Sequence, residues 1–317
     1  MPEFGYWLSS EEHGPRDLVR NAQRAEQIGF PFTMISDHYH PWLSEQPEAP
    51  FVWTVVGAIA ATTETLRLGT GVTCPLLRTH PAIIAHAAAT AAAMMPGRFL
   101  LGVGTGENLN EHILGDGWPT IEIRQEMLKE AVELIRKLWE GETTTFYGDY
   151  YVVEDARLFT VPEDLPPILV AASGTGSGQI AGEIGDGLIS VGPNAEVVEA
   201  FAEAGGQEKP RYAKLTICYA PTKEAAIERM FPLWRQAGLP GILRPNVRTV
   251  AHFDQAVEMV SEQDLADQIA HGPDPETYVE AIRALSDAGF EKIALHQIGA
   301  NQEQFLEFYQ KEIAPRF

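Results

Sequence analysis

The segment PRDLVRNAQRAEQIGFPFTMISDHYHPW, residues 15–42, contains the repeating unit from which the fold is predicted. Its first part has the period of a surface helix, begins at a proline and ends before a glycine. The apolar residues on one face of this predicted helix are Leu18, Ala22, Ala25 and Ile28. The apolar run Phe32–Ile35 then has the composition of a buried strand. A helix followed at once by a buried strand indicates a β/α crossover unit.

Short apolar runs and helical segments alternate in the same way along the rest of the chain. The eight runs typical of buried strands are Phe4–Ser9, Phe32–Ile35, Leu66–Gly69, Phe99–Val103, Pro167–Val170, Gly187–Ser190, Lys214–Ala220 and Lys292–His296. Residues 123–141 and 275–290 repeat the helical period. Eight such units in 317 residues predict one (β/α)8 TIM-barrel domain over residues 1–317. A doubly wound open sheet is the alternative, because it uses the same parallel crossovers.

Two segments interrupt this rhythm, and neither has the composition of a linker. Thr144–Phe159, TTFYGDYYVVEDARLF, predicts a β-hairpin with Gly148 and Asp149 at its turn. Leu239–Phe253, LPGILRPNVRTVAHF, is an insertion broken by prolines and a glycine. One domain with two insertions is therefore the simplest organisation.

The composition limits the partners and the compartment. The formal net charge is −21, so the basic footprint needed to bind nucleic acid or an anionic membrane surface is absent. A small-molecule substrate is the partner that we expect. Cys74 and Cys218 have no paired spacing, which favours a reducing cytoplasm. No apolar run reaches the length of about 18 residues that spans a membrane, and the first residues lack the pattern of a signal peptide.

The residues after each predicted strand decide the function, because the active site of a (β/α)8 barrel lies at the carboxyl ends of its strands. After the second run comes ISDHYHPW, residues 35–42, which combines Asp37, His38, His40 and Trp42. These side chains form either an active site or a polar loop in which Asp37 caps a turn. No metal site is predicted, because Asp37, His38 and His40 lack a complementary ligand set at fixed spacing.

Three further strand ends carry polar or glycine-rich sequence. Residues 102–111, GVGTGENLNE, place Glu107 either toward the barrel mouth or at a helix cap. Residues 171–187, AASGTGSGQIAGEIGDG, lead small residues into a predicted helix. Free amides at such a helix start bind phosphate, and a tightly packed turn is the alternative. His296 is expected to pack or to hydrogen-bond rather than to catalyse.

Five stretches together carry a resemblance to a known group of enzymes: SDHYHPW, GTGVTCP, HPAIIAHAAAT, PGRFLLGVGTGENLNE and FYGDYY. They resemble the F420-dependent glucose-6-phosphate dehydrogenase group of the bacterial luciferase-like superfamily, most strongly between residues 30 and 190. The resemblance implies a (β/α)8 barrel, a homodimer and the deazaflavin coenzyme F420. It also implies hydride transfer between a hydroxyl-bearing carbon of the substrate and C5 of the deazaflavin ring.

The resemblance also assigns roles to individual residues of this chain. It implies that His38 and Glu107 are the proton-transfer pair, with Trp42 beside them, and leaves open which of the pair is acid or base. The peptide bond between Gly71 and Val72 is implied to be cis. The residues implied to bind the cofactor are Asp37, Gly71, Val72, Cys74, Thr105, Asn110, Ser173, Gly174, Gly176 and Ser177.

The residues implied to bind substrate depart from the pattern of the group. Its sugar-phosphate enzymes hold the phosphate with a threonine, two lysines and an arginine. The corresponding positions here are Val191, Asn194, Arg244 and Gln268. Three of the four do not supply the expected group, which weakens phosphate binding because charge-assisted hydrogen bonds dominate it. Arg248 and Lys209 are further cations for a different clamp.

Several substrates and two other classes of protein therefore stay open. Glucose 6-phosphate, a neutral secondary alcohol and the reverse reduction of a carbonyl or enone all suit hydride transfer. An FMN-dependent monooxygenase would use the same barrel and phosphate loop. A cofactor-binding protein without activity is disfavoured by the presence of His38, Trp42 and Glu107.

Overall fold

The computed structural model describes all residues of the chain, 1–317. The strands are β1 (Glu3–Leu8), β2 (Phe32–Ile35), β3 (Arg67–Thr70), β4 (Phe99–Val103), β5 (Thr144–Tyr147), β6 (Val152–Ala156), β7 (Ile168–Ala171), β8 (Gly187–Val191), β9 (Arg211–Cys218), β10 (Ala270–His271) and β11 (Lys292–Gln297). The helices are α1 (Pro15–Gln27), α2 (Val52–Thr62), α3 (Pro81–Met94), α4 (Asn108–Glu111), α5 (Ile121–Leu138), α6 (Thr175–Ile184), α7 (Ala195–Phe201), α8 (Lys223–Trp234), α9 (Val250–Ala256), α10 (Glu262–Ala266), α11 (Pro275–Asp287) and α12 (Gln302–Phe308).

Eight of these strands close into a parallel barrel in the order β1-β2-β3-β4-β7-β8-β9-β11. β1 pairs with both β2 and β11, and Tyr6 lies opposite Leu295 of β11. The ring closes between β8 and β9, where Val191 lies opposite Lys214. The predicted (β/α)8 barrel is confirmed. The open-sheet alternative is wrong, because an open sheet would leave one side of β8 and one side of β9 unpaired.

The predicted strands all occur, and their bounds differ from the prediction mainly in β9. The apolar pattern predicts a start at Lys214, whereas the strand begins at Arg211. Arg211 and Tyr212 lie opposite Leu188 and Ile189 of β8. Pairing with a neighbouring strand therefore extends β9 beyond its apolar run.

The helix predicted from the first segment is α1. Three of the four apolar residues on its predicted face are buried: Leu18, Ala22 and Ala25. Gly29 follows the helix with a φ of 95°, a left-handed conformation that glycine adopts without strain. The other two predicted helical segments are α5 and α11. None of the twelve α-helices has the length and apolar composition needed to cross a membrane.

The first insertion is the predicted hairpin, formed by β5 and β6 as an antiparallel pair. The carboxylate of Glu130 in α5 accepts hydrogen bonds from three backbone amides of the hairpin turn. These amides belong to Asp149, Tyr150 and Tyr151. The hairpin is thereby fastened to the outer helical layer of the barrel.

The second insertion, Leu239–Phe253, lies over part of the barrel mouth. It contains a helical turn, Arg244–Asn246, and the first residues of α9. Phe253 is fully buried, and its ring lies edge-on to Trp42 at a centroid distance of 5.2 Å. The side-chain oxygen of Asn246 accepts a hydrogen bond from Trp118 Nε1 at 3.1 Å. The proline- and glycine-broken segment is therefore partly helical and ordered by these contacts.

Buried apolar side chains fill the lower part of the barrel interior. They are Trp7, Phe32, Met34, Leu100, Leu169, Ile189, Tyr212 and Ala294. A Cβ atom on Gly69 would lie 2.5 Å from the sulfur of Met34, so glycine is required for this close approach. With this part of the barrel packed, the loops at the carboxyl ends of the strands form the walls of the candidate site.

Candidate active site

The loops after β2 and β4 bring His38 and Glu107 to the same point of the barrel mouth. His38 Nε2 lies 3.7 Å from Glu107 Oε2. His38 Nδ1 lies 3.1 Å from the carbonyl oxygen of His40 and donates to it in the Nδ1-protonated tautomer. In that tautomer the lone pair of Nε2 can accept a proton. The structure therefore brings together the two residues that the resemblance implies as a proton-transfer pair.

Glu11, which follows β1, also faces His38 and is not among the predicted site residues. Its Oε1 lies 3.4 Å from His38 Nε2, and its side chain is 2% exposed. Its Oε2 accepts hydrogen bonds from the hydroxyls of Ser9 at 2.9 Å and Ser36 at 2.6 Å. Burial raises its pKa, but the charges of His38 and Lys214 and the Ser36 hydrogen bond lower the pKa to about 2. Glu11 is therefore a carboxylate at neutral pH.

Glu107 has the opposite pKa shift. Burial raises the pKa of Glu107, the charge of His38 lowers it, and the charge of Glu11 raises it, so that the result lies above the usual value. Its side chain is 29% exposed at the barrel mouth. Two carboxylates with opposite pKa shifts beside one imidazole are typical of sites that transfer protons.

Asn110, in the short helix α4, joins the loops that carry these two residues. Its side-chain oxygen accepts hydrogen bonds from the backbone amides of Tyr39 at 2.9 Å and His40 at 3.1 Å. Its Nδ2 lies 3.4 Å from Glu107 Oε2 and 3.3 Å from His38 Nδ1. Asn110 is implied as a cofactor residue, and in the structure its oxygen holds the His38 loop in place.

Trp42 forms a wall of the site beside His38. The two rings lie 5.0 Å apart at an angle of 54°. The backbone amide of Trp42 donates a hydrogen bond to the side chain of Gln46 at 2.8 Å. Contact with Phe253 from the second insertion holds the other side of the indole ring. The implied position of Trp42 next to the proton-transfer pair is therefore the position observed.

Asp37 is buried, and both of its carboxylate oxygens are hydrogen-bonded. One accepts from the Thr73 hydroxyl at 2.8 Å and the other from the Arg78 guanidinium at 2.9 Å. Glu111 accepts a hydrogen bond from the Arg78 backbone amide at 2.8 Å. Asp37, Arg78 and Glu111 thus tie together the loops after β2, β3 and β4. Arg78 is not among the predicted residues, because nothing in the sequence indicates that it meets Asp37.

The loops after β3 and β4 bring four of the residues implied to bind the cofactor to neighbouring strand ends. The peptide bond between Gly71 and Val72 is cis, as the resemblance implies. A Cβ atom on Gly104 would lie 2.8 Å from Val72, so this glycine lets the two loops approach. Cys74 is a buried free thiol whose pKa is raised by burial, and Thr105 is partly exposed.

The loop after β7 has the features of an anion-binding helix start. Gly174 is the N-cap of α6, and its φ of −145° is extended backbone. The hydroxyl of Ser177 accepts hydrogen bonds from the amides of Ser173 and Gly174, each at 3.2 Å. The space in front of Gly174 and Gly176 is open, so a bound group can approach the backbone there. These residues fit the phosphate of an anionic cofactor, which the N-terminal amides and the helix dipole of α6 would stabilise.

The residues implied for substrate recognition differ in how they meet the site. Val191 ends β8 and is exposed at the barrel mouth. Arg244 lies in the second insertion, and its positive charge lowers the pKa of Glu107. The side-chain oxygen of Asn194 caps α7, and Gln268 is exposed between α10 and β10. Of these four residues, Arg244 is the cation that the structure brings toward the proton-transfer pair.

Three further cations differ in their surroundings. Lys209 donates a hydrogen bond to the Gly182 carbonyl at 2.7 Å, which ties it to the outer helical layer. Arg248 is exposed in the second insertion. Lys214, which is not predicted as a site residue, lies in the middle of β9. Its positive charge lowers the pKa of Glu11. The rule that site residues follow strands would have found Glu11, but no sequence signal indicates Lys214.

The chain matches the family model described as luciferase-like monooxygenase over residues 1–303. It is 36% identical over 328 residues to the F420-dependent glucose-6-phosphate dehydrogenase of Nocardia farcinica, covering 99% of this chain and 97% of the relative. It is 35% identical over 325 residues to the enzyme of the same name from Microbacterium testaceum, covering 99% of this chain and 96% of the relative. The resemblance identified from the sequence is confirmed.

Two solved structures share the fold of this chain. An F420-dependent secondary alcohol dehydrogenase in complex with an F420-acetone adduct superposes with a TM-score of 0.91 and 28% identity over 98% of each chain. The F420-dependent tetrahydromethanopterin reductase of Methanopyrus kandleri superposes with a TM-score of 0.81 and 23% identity over 100% of this chain and 99% of that chain, a likeness of fold. From the match over 303 residues and the relatives above 30% identity, this chain belongs to the luciferase-like monooxygenase family.

Proposed function

We propose that the protein is an F420-dependent oxidoreductase that transfers a hydride between a hydroxyl-bearing carbon of a small substrate and C5 of the deazaflavin. The observation that carries this proposal is His38 Nε2, which lies 3.4 Å from Glu11 and 3.7 Å from Glu107 at the barrel mouth. Oxidation of an alcohol requires a base for the hydroxyl proton as the hydride leaves. The names of the relatives at 35% and 36% identity support F420 as the cofactor.

The residues around the mouth fit such a cofactor. The start of α6 would hold its phosphate through the backbone amides of the first helical residues, 175–177, because the amides of Ser173 and Gly174 already donate to Ser177. Gly174 and Gly176 leave the approach to these amides open. The loop at Gly71 and Val72 and the partly exposed Thr105 would lie along its ring. When bound, the deazaflavin supplies a carbon that accepts or donates a hydride.

The side chains of the site then handle the proton. His38 Nε2 accepts the hydroxyl proton of the substrate, and the ionised Glu11 stabilises the imidazolium. Glu107 faces the same nitrogen at 3.7 Å, and because burial raises its pKa it takes up a proton more readily than Glu11. Trp42 confines the substrate by covering one side of His38. In the reverse direction the same groups return the proton to a carbonyl oxygen.

Titration with each cofactor tests this function against an FMN-dependent monooxygenase. The purified protein is titrated with F420 and, separately, with FMN, and the fluorescence of each cofactor is followed. We expect saturable quenching of F420. Addition of glucose 6-phosphate or isopropanol should then remove the visible absorbance of F420. Tight binding of FMN without binding of F420 would overturn the proposal.

We infer that the protein is a homodimer that associates through α2 and α3. Neither helix contains a Lys, Arg, Asp or Glu residue, although 21% of the chain is charged. Three large apolar side chains on or beside these helices are exposed: Phe51, Ile83 and Met94. Two chains with a formal charge of −21 each repel, so an uncharged apolar face is the surface best suited to self-association.

A cytoplasmic location is part of the same proposal. Cys74 and Cys218 are both free and buried. Free thiols persist in a reducing compartment, where disulfides are rare. This agrees with the expectation from the spacing of the two cysteines.

A further inference from the structure

Lys214 lies inside the barrel between two indole rings. Its ammonium is 4.4 Å from the centroid of Trp7 and 4.7 Å from that of Trp234. No carboxylate oxygen lies within 4.0 Å of its Nζ, whereas the lysine at the opposite end of the barrel, Lys292, pairs with Glu3 at 3.1 Å. Lys214 is therefore a cation at the wall of the site without a paired carboxylate.

The indole ring of Trp234 is held rigidly against Lys214. Its Nε1 donates a hydrogen bond to Glu12 at 2.8 Å. The same carboxylate accepts from the Gly299 amide at 2.6 Å and pairs with His296 Nε2 at 2.8 Å. His296 is fully buried, as expected for a hydrogen-bonding rather than a catalytic histidine. Because this network fixes Trp234, it limits the directions in which the Lys214 side chain can turn.

The turn that contains Arg244 lies beside Glu107, because the side chain of Asn108 donates a hydrogen bond to the Asn246 carbonyl at 3.3 Å. The pKa of Lys214 is lowered to about 8. Burial is the largest cause and the charge of Arg244 adds to it, whereas the charges of Glu11, Glu12 and Glu107 act in the opposite direction. Lys214 and Arg244 both lower the pKa of Glu107 through their positive charges. A partly buried ammonium without a close acceptor gains most from an anionic group that hydrogen-bonds to it.

We infer that Lys214 and Arg244 form a binding site for an oxyanion of the substrate, a phosphate or a carboxylate. The substrate is then an anionic hydroxy compound whose carbinol carbon lies at His38 while its charged group lies at Lys214. This inference rests on the proposed function. It also explains how an acidic protein lacking three of the four expected phosphate ligands could hold an anion, since local cations overcome the long-range repulsion.

The test compares Lys214→Met with Lys292→Met, a matched variant that removes a lysine near the Tyr212 ring at the other end of the barrel. Both variants and the wild type are titrated with inorganic phosphate and with acetate by calorimetry, with and without F420. We expect wild type to bind one or both anions. Lys214→Met should bind about 10- to 100-fold more weakly, the effect of losing one charge-assisted hydrogen bond. Lys292→Met should bind as the wild type does.

A second variant and a second measurement keep the inference testable if Lys214→Met does not fold. Arg244→Met, in the second insertion, should weaken anion binding in the same titration. With F420 bound, either variant should raise KM for glucose 6-phosphate relative to KM for glucose. Wild type that binds neither anion, or Lys214→Met that binds them as wild type does, would overturn the inference.

The outcomes separate this inference from the proposed function. If F420 is bound and reduced by isopropanol while neither anion binds, the oxyanion site is wrong and the hydride chemistry stands. If anion binding depends on Lys214 but F420 does not bind, the oxyanion site stands and the cofactor assignment is wrong.

Discussion

At the scale of single residues, the site consists of side chains that come from different strand ends. His38 meets Glu11 from the loop after β1 and Glu107 from the loop after β4. The two carboxylates have opposite pKa shifts, because Glu11 is stabilised by neighbouring cations and hydroxyls whereas burial dominates at Glu107. An imidazole nitrogen that faces both an ionised and a protonatable carboxylate can accept a proton and return it.

Replacing His38 with alanine should remove the base. We expect kcat for F420 reduction to fall by about a hundredfold to ten-thousandfold, the range for loss of a general acid–base group. F420 affinity, measured by fluorescence quenching, should change little because the imidazole acts on the substrate proton. His252→Ala, at an exposed position in α9, is the control and should retain the wild-type kcat. Near-wild-type turnover by His38→Ala would contradict the assigned role.

Replacing Glu11 with glutamine should change how stability depends on pH. The pKa of Glu11, about 2, lies below its ordinary value of 4.5, so the stabilisation is present above pH 4.5 and is lost as the pH falls toward 2. A difference of that size corresponds to roughly 3 kcal/mol in the free energy of unfolding. Urea unfolding at several pH values should show a steeper acid loss for wild type than for Glu11→Gln. Glu140→Gln, at an exposed position, should follow the wild type.

At the scale of elements, helix α6 contains one glycine that packing requires and another that packing does not require. A Cβ atom on Gly176 would meet nothing within 4 Å, whereas a Cβ atom on Gly182, in the same helix, would lie 2.5 Å from the Phe201 carbonyl oxygen. Gly182 is therefore required by packing between α6 and α7. Gly176 is not required by packing, which is consistent with a role in binding.

Gly176→Ala and Gly182→Ala should consequently have opposite effects. Gly176→Ala should raise the free energy of unfolding by about 0.5 to 1 kcal/mol, because alanine favours the helix. It should weaken F420 binding, because its methyl group stands before the backbone amides. Gly182→Ala should lower the free energy of unfolding by about 1 to 3 kcal/mol through overpacking. Thermal unfolding and F420 titration of both variants give the comparison, and unchanged F420 affinity in Gly176→Ala would exclude the phosphate loop.

At the scale of the whole molecule, the distribution of charge distinguishes one face from the rest. The outer layer of the barrel is acidic, but α2 and α3 present an uncharged surface with Ile83 59% exposed. Exposed apolar patches favour association, so this surface is more stable when a second chain covers it. The proposed dimer buries it without bringing like charges together.

Ile83→Glu should therefore dissociate the dimer. A carboxylate in an apolar interface loses hydration and faces its own copy across the two-fold axis of a closed dimer. Light scattering should give about twice the 34.9 kDa chain mass for wild type and the mass of one chain for the variant. Met259→Glu, which makes the same kind of change at a residue 86% exposed elsewhere, should remain dimeric. A monomeric wild type would contradict the proposal.

Much of the fold follows from local pattern because each β/α unit carries its own signals. The helical face of α1, the proline at its start and the glycine at its end lie within one segment of the chain, and the structure has the helix there. His38 and Glu107 are found in the same way, since both follow apolar runs. The beginning of β9 at Arg211 is not found, because it depends on pairing with β8 rather than on the apolar run.

The sequence by itself determined the number and order of the β/α units, the hairpin and the strand ends that carry His38, Trp42 and Glu107. Periodicity and turn residues are local properties, so they can be recognised in the sequence before the fold is known. The tertiary structure decided barrel closure between β8 and β9, the contact of Glu11 with His38 and the position of Lys214 between two indole rings. These depend on which face of each strand turns inward and on which distant strands meet, and both are set only when the twisted sheet closes on itself.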